Sequence, residues 1–225
     1  MTTIYLQRHG LSVSNLQYVC AGHSDFELCE LGFKQAEAAA EVLCKRPITA
    51  IYSSDLKRAY QTASAVGRKL NLPVTQVPAL REIFAGSLES RSYADLATVC
   101  KEEYDRYKAD PCGCGWPEGE NAMEVLARFV PAMKEIAEKH DGETVLVTSH
   151  STAISIFLSE VQGVMYRLGL FPIKNTAITT LTYENGLFTV QELGNADHLT
   201  EELLPPSRLD SLPKEIAEVI KKETP

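Results

Sequence analysis

The chain has 225 residues, is 44% hydrophobic and carries a formal charge of −8. That length suits one large domain or two small ones around a sizeable buried core. The acidic balance, with no basic run of five or more, argues against a nucleic-acid partner, and no apolar stretch reaches the length of a membrane span.

A small anionic ligand is not excluded by the same numbers. Fields from exposed charges fade over about 8 Å at physiological salt. One arginine about 4 Å from a phosphate is worth about 4 kcal/mol at an effective dielectric near 20, so a local pocket outweighs the net charge.

Short apolar runs alternate with longer amphipathic stretches. Thr3–Gln7 reads as a strand, and Leu31–Lys45 as a helix with Phe33, Ala36, Ala40 and Leu43 inward. The start of this helix is weakly signalled, because Cys29 stands where a serine or threonine cap is expected. Ala50–Ser53 is a short strand. Asp55–Leu70 is a helix with Leu56, Ala59, Ala63, Val66 and Leu70 inward and Ser54 as its cap. Val74–Val77 is a strand between prolines. Gly119–His140 is a helix with Met123, Leu126, Val130, Met133 and Ala137 on one stripe and a kink at Pro131. Thr144–Thr148 is a strand and Thr152–Val161 a helix. Ala177–Tyr183 and Leu187–Glu192 flank Glu184-Asn185-Gly186, a hairpin signal, and a polar helix is expected at Pro213–Lys222.

This alternation predicts a three-layer α/β/α sandwich around a mostly parallel sheet, as a single domain spanning 1–225. The stretch 83–118 breaks the rhythm with tyrosines, charges and Trp116, and reads as an insertion forming a lid or pocket wall; residues 205–225 read as a helical tail. The start, MTTIYLQRHG, has no charged segment followed by a long apolar run, so six reduced cysteines and a cytoplasmic location are expected. Cys112-Gly-Cys114 lacks a second pair or a nearby histidine and reads as a loop, not a metal site.

The polar residues collect at strand exits. Arg8 and His9 follow the first strand, Ser53, Ser54 and Arg58 the second, Arg81 and Glu82 the third, and His150 the fourth. In open α/β sheets that edge is where ligands bind, and helix starts there offer N–H groups and a positive dipole end to an anion. Each residue alone has a plain reading. A histidine after a strand is commonly a hydrogen-bonded structural residue, Arg58 a solvated helix residue, and Glu82 a surface carboxylate. The plain readings do not account for their convergence on one edge.

"RHGLSVSN" resembles the RHGxSxxN opening of the histidine phosphatase superfamily, the phosphoglycerate-mutase-like proteins. "AGHSD", "ELGFKQAEAAAEVL", "IYSSDLKRAYQTA", "LREIFAGSLE", "TSHSTAI", "NTAITTL" and "NADHL" continue the likeness in order, from about Thr3 to Leu199. The resemblance implies His9 as nucleophile, with Arg8, Arg58 and His150 on the phosphoryl oxygens and His150 protonated in that anionic surrounding. It implies Glu82 as general acid and then base. Ser12, Asn15, Ala21, Gly22 and Ser151 would complete the phosphate pocket, with no cofactor or metal.

The family often has Gly-His-Gly where this chain has Ser149-His150-Ser151, and His23 replaces an aromatic of the mutase loop and is expected at the surface. The mutase insertion with tandem arginines is not matched, since Arg91 and Arg106 are far apart. The expected activity is therefore that of a metal-independent phosphomonoesterase of the histidine acid phosphatase type, acting on a small phosphorylated metabolite as a monomer or homodimer. A cofactor-dependent phosphoglycerate mutase and a non-catalytic phosphate-binding protein are the alternatives.

Overall fold

Residues 1–205 are described by a computed structural model; the helix expected at Pro213–Lys222 lies outside the described residues. Strands β1 (Thr2–Arg8), β2 (Ile48–Ser53), β3 (Val74–Gln76) and β4 (Thr144–Ser149) run parallel in the order β3-β2-β4-β1. β5 (Ile178–Glu184) pairs antiparallel with β1, and β6 (Leu187–Asn195) with β5. Asn185 and Gly186 between them have φ of 52° and 83°, the left-handed pair that a tight hairpin turn requires.

The strands are apolar on both sides because helices cover both faces. Val145 and Val147 of β4 belong to one buried cluster and Leu146 to the other, as the two-residue period of a strand demands. Helices α2 (Glu30–Leu43) and α3 (Lys57–Leu70) cover the Leu146 side, while α6 (Ala122–Lys139) and α7 (Ser151–Val161) cover the Val145 side. This is the expected three-layer α/β/α arrangement with a mostly parallel sheet. A short α1 (Val13–Leu16) follows β1, and α4 (Tyr93–Thr98) and α5 (Lys101–Ala109) occupy the stretch that broke the sequence rhythm.

Three local expectations are corrected. Phe33 of α2 is 43% exposed and Gln35 is buried instead, its side-chain oxygen accepting from the Leu11 N–H at 2.8 Å. In α6 the buried residues are Ala122, Val125, Phe129, Ala132, Met133, Ile136 and Ala137; of the expected stripe Met133 and Ala137 are among them, whereas Met123 is 56% exposed. Both rows of α6 are apolar, so spacing does not choose between them; packing of Phe129 on Phe157 of α7, at 5.3 Å between ring centroids, does. α6 is one helix through Pro131. Finally, α3 begins at Lys57 with Leu56 at its N-cap, and the Lys57 N–H is bonded by the Asp25 carboxylate at 2.7 Å, not by Ser54. The α2 cap stands as read: the Cys29 sulfur accepts from the Gly32 N–H at 3.4 Å.

Candidate active site

Strand register brings the two histidines together. Arg8 is the pairing partner of Ser149 across β1 and β4, so His9 and His150 are the next residues on two parallel neighbours. Their ring centroids lie 5.2 Å apart. β2 ends beside them, and the Ser54 hydroxyl is 2.9 Å from His150 Nε2. The chain leaves β1 toward β2 but leaves β4 toward β5. That reversal opens a crevice at the carboxyl edge of the sheet. A cavity of about 230 Å³ occupies this edge, and Arg8, His9, Asn15, Arg58 and Glu82 line it together. The glycine after His9 lets the exit pass close to α2: a Cβ on Gly10 would lie 2.6 Å from the Gly32 carbonyl oxygen.

His9 Nδ1 is 2.6 Å from the Gly10 carbonyl oxygen. A carbonyl only accepts, so Nδ1 carries the proton and Nε2 keeps its lone pair. Burial, then the charges of Arg58 and Arg8, hold the His9 pKa well below the usual histidine range, so the ring is neutral. The Asn175 side-chain amide donates to the His9 carbonyl at 3.1 Å and to Asn15 Oδ1 at 3.3 Å, fixing both.

The expectation of a protonated His150 is corrected for the protein's own surroundings. Burial, then the charge of Arg58, pushes its pKa well down, because the groups around it are cationic rather than anionic. Its buried Nδ1 has no hydrogen-bond partner among the described residues. The two serines flanking it fit without strain. His150 has φ −128° and ψ 161°, and the Ser149 hydroxyl donates to the Leu80 carbonyl at 2.8 Å.

Arg58 is 1% exposed, yet among the described residues neither it nor Arg8 has a carboxylate within ion-pairing distance. Arg58 donates to the carbonyls of Ser24 and Gly22, at 2.9 and 2.7 Å, and Arg8 to that of Ile173 at 2.6 Å. Burial lowers the Arg8 pKa to about 10 and also lowers that of Arg58, opposed in both by Glu82, so both remain cations at neutral pH. Gly22 sits at φ +49°, and any Cβ there would lie 2.0 Å from Glu89 Oε1. Glu89 ties this loop down, accepting from the His23 N–H at 2.5 Å and the Ser24 hydroxyl at 2.7 Å.

Glu82 occupies the start of α7. Its carboxylate accepts from the N–H groups of Ala153 at 2.8 Å, Thr152 at 3.1 Å and Ile83 at 3.0 Å. The helix start expected to receive a ligand anion is thus engaged by Glu82. Arg128 of α6 fixes the chain on either side by donating to the carbonyls of Ala79, Arg81 and Glu82 at 2.8 Å, while also paired with Glu120 at 2.7 Å.

Other expected residues fall elsewhere. Ala21, Gly22 and Ser151 line the cavity, whereas Ser12 is buried outside it and caps α1, accepting from the Asn15 N–H at 3.3 Å. Arg81 turns away into a two-fold bond with Asp55, at 2.7 and 2.5 Å. His23 is half-buried rather than on the surface. Its Nε2 donates to the Glu82 carbonyl at 2.8 Å and its ring lies 5.0 Å from Phe84, outside the cavity. Arg128, Glu89 and Asn175 escaped sequence reading; each acts on a residue far away in the chain, and no local spacing marks it.

Residues 4–196 match the profile of the histidine phosphatase superfamily (branch 1). A probable phosphoglycerate mutase GpmB of Proteus mirabilis is 31% identical, covering 89% of this chain and 96% of that protein. A metal-independent phosphoserine phosphatase of Arabidopsis thaliana is 37% identical, covering 72% and 70%. Among solved structures, Bacillus stearothermophilus YhfR aligns with a TM-score of 0.84 at 27% identity, over 88% of this chain and 99% of that one. The relatives' names divide between mutase and phosphatase. With a family match that spans both histidines, Arg8, Arg58 and Glu82, the chain belongs to the histidine phosphatase superfamily, branch 1.

Proposed function

We propose that this protein is a metal-independent phosphomonoesterase that works through a phosphohistidine on His9. The observation that carries this reading is a neutral imidazole with its Nε2 lone pair free, set beside the buried Arg58 and the part-buried Arg8, neither of which has a carboxylate within pairing distance among the described residues. Cations withdrawn from water with no carboxylate bonded to them are costly and call for an anion.

In the first step His9 Nε2 attacks phosphorus, the P–O bond to the alcohol breaks, and Glu82 protonates the departing oxygen. In the second, Glu82 takes a proton from water, whose oxygen attacks phosphorus and releases inorganic phosphate and neutral His9. Arg8 and Arg58 hold the non-bridging oxygens through both transition states. The phosphoryl charge reverses the electrostatics at His150, so this ring gains its proton when the substrate binds. Ser14 and Asn15 complete the polar floor. The substrate class on this reading is a small phosphorylated metabolite.

Hydrolysis of p-nitrophenyl phosphate by wild type and His9→Ala tests the proposal. Wild type releases nitrophenol and the variant releases none above background; equal release refutes the nucleophile. The GpmB relative favours a second reading, a phosphoglycerate mutase. Rapid interconversion of 2- and 3-phosphoglycerate in the presence of 2,3-bisphosphoglycerate, with little free phosphate, would establish that reading instead.

A further inference from the structure

The cavity has two chemically different halves. Its floor, at the strand exits, holds His9, Arg8, Arg58 and Glu82. Ile83, Tyr93, Tyr104, Tyr107, Trp116 and Leu168 form an apolar and aromatic wall of the same cavity, and neither they nor the small polar residues Ser14, Ser151 and Thr152 beside them bear a charge at neutral pH. The rings are held by one another: Trp116 lies 4.2 Å from Tyr107 and 6.0 Å from Tyr104 between centroids, with interplanar angles of 28° and 19°. Tyr107 and Trp116 are buried, so this part of the wall is packed, while Tyr93 and Leu168 are each 40% exposed at its rim.

The basic residues of this stretch do not enter the cavity. Arg91 and Arg106 are exposed and line none of it. Lys108 lies over the Tyr104 ring, 4.5 Å from its centroid, with its ammonium paired to Asp105 at 2.7 Å. Lys101 is paired to the same carboxylate. Arg8 and Arg58 are the basic residues among those lining the cavity, and a single phosphate uses both.

We infer that the alcohol half of the substrate is small, uncharged and apolar or aromatic, and carries neither a carboxylate nor a second phosphate. This specificity rests on the phosphomonoesterase reading above. A second anion on the leaving group would be pressed against ring faces, which are electron-rich, near the Glu82 carboxylate and without a cation to meet it. A flat or aliphatic group instead gains stacking and burial on the same wall. The cavity measures about 230 Å³, below the range of about 300–1,000 Å³ that drug-sized ligands occupy, so the part of the leaving group that it encloses is small. The wall therefore does not complement phosphoserine or phosphoglycerate, the compounds in the names of the two relatives.

The test compares kcat/KM for benzyl phosphate, ethyl phosphate, phosphoserine and 3-phosphoglycerate, all alkyl esters, so that differences report the wall and not the leaving-group class. Benzyl phosphate is expected to exceed both acids by about tenfold or more, the range that aromatic contact and an unpaired charge support together. Tyr104→Ala should lower the benzyl ester several-fold more than the ethyl ester, whose smaller group covers less of the wall. Leu168→Arg, at a position 40% exposed and tolerant of a long side chain, should narrow the gap by raising the acids. His9→Ala run on every ester separates the two claims. If His9-dependent turnover favours phosphoserine or 3-phosphoglycerate in the wild type, the neutral-wall inference is wrong while the phosphatase reading stands. If no ester shows His9-dependent turnover, both fall.

Discussion

At position 9, burial and two neighbouring guanidiniums disfavour the imidazolium, while the Gly10 carbonyl keeps the single remaining proton on Nδ1. The same burial at His150 makes stability depend on pH. The unfolded chain takes up protons at these rings near pH 6.5, and the folded chain does so only well below that value. Stability is therefore fully present above pH 6.5 and declines as pH falls below it, by up to about 1.4 kcal/mol per pH unit for each histidine. Asp55, held low by Arg81, adds its own loss only as pH falls below 3.8. Melting temperatures at pH 7.5, 6.5 and 5.5 should drop in the wild type and drop less in His150→Gln; parallel curves would refute the buried neutral ring. Glu82→Gln should slow an alkyl phosphate by about 10²–10⁴-fold but p-nitrophenyl phosphate far less, since nitrophenolate barely needs a proton. Uniform loss across both esters argues against Glu82 as the acid.

At the scale of elements, the site depends on close approaches and on cross-links between layers. A Cβ on Gly32 would lie 1.9 Å from the Leu11 carbonyl oxygen, where α2 meets the exit of β1. Backbone has to move to admit it, so Gly32→Ala should lower the free energy of unfolding by about 1–3 kcal/mol in urea titration, with the thermal midpoint moving in step. Arg128 joins α6 to the segment carrying Glu82 through three carbonyls and shares a two-fold bond with Glu120. Arg128→Leu leaves Glu120 half-buried without its partner, and a loss of about 3 kcal/mol is expected by the same titration. Unchanged stability would mean that α6 does not brace this segment.

Over the whole molecule, a formal charge of −8 coexists with a cavity floor built around two arginines. On the proposed mechanism the arginines supply the cationic charge that phosphoryl transfer requires, so exhaustive dialysis against a chelator should leave kcat/KM for p-nitrophenyl phosphate unchanged. A loss restored by a divalent cation would contradict the metal-independent mechanism. No helix among the described residues is long and apolar enough to cross a membrane.

Much of this architecture was legible in the chain. Alternation in β4, helical spacing in α3 and the Asn185-Gly186 turn are properties of near neighbours, and they put Arg8, His9, Arg58, Glu82 and His150 on one edge before any packing was known. Other features needed the closed sheet. Both apolar rows of α6 satisfy the helical period, so only contact with α7 buried Phe129 and exposed Met123. Arg81 and Arg128 look alike in sequence, yet one bonds Asp55 and the other braces Glu82 across 46 residues. The charge state of His150, the tethering of the Gly22 loop by Glu89 and the uncharged wall of the cavity were likewise settled only by tertiary structure. Each depends on desolvation and on distances between groups remote in the chain, and those quantities take their values only once the layers have packed.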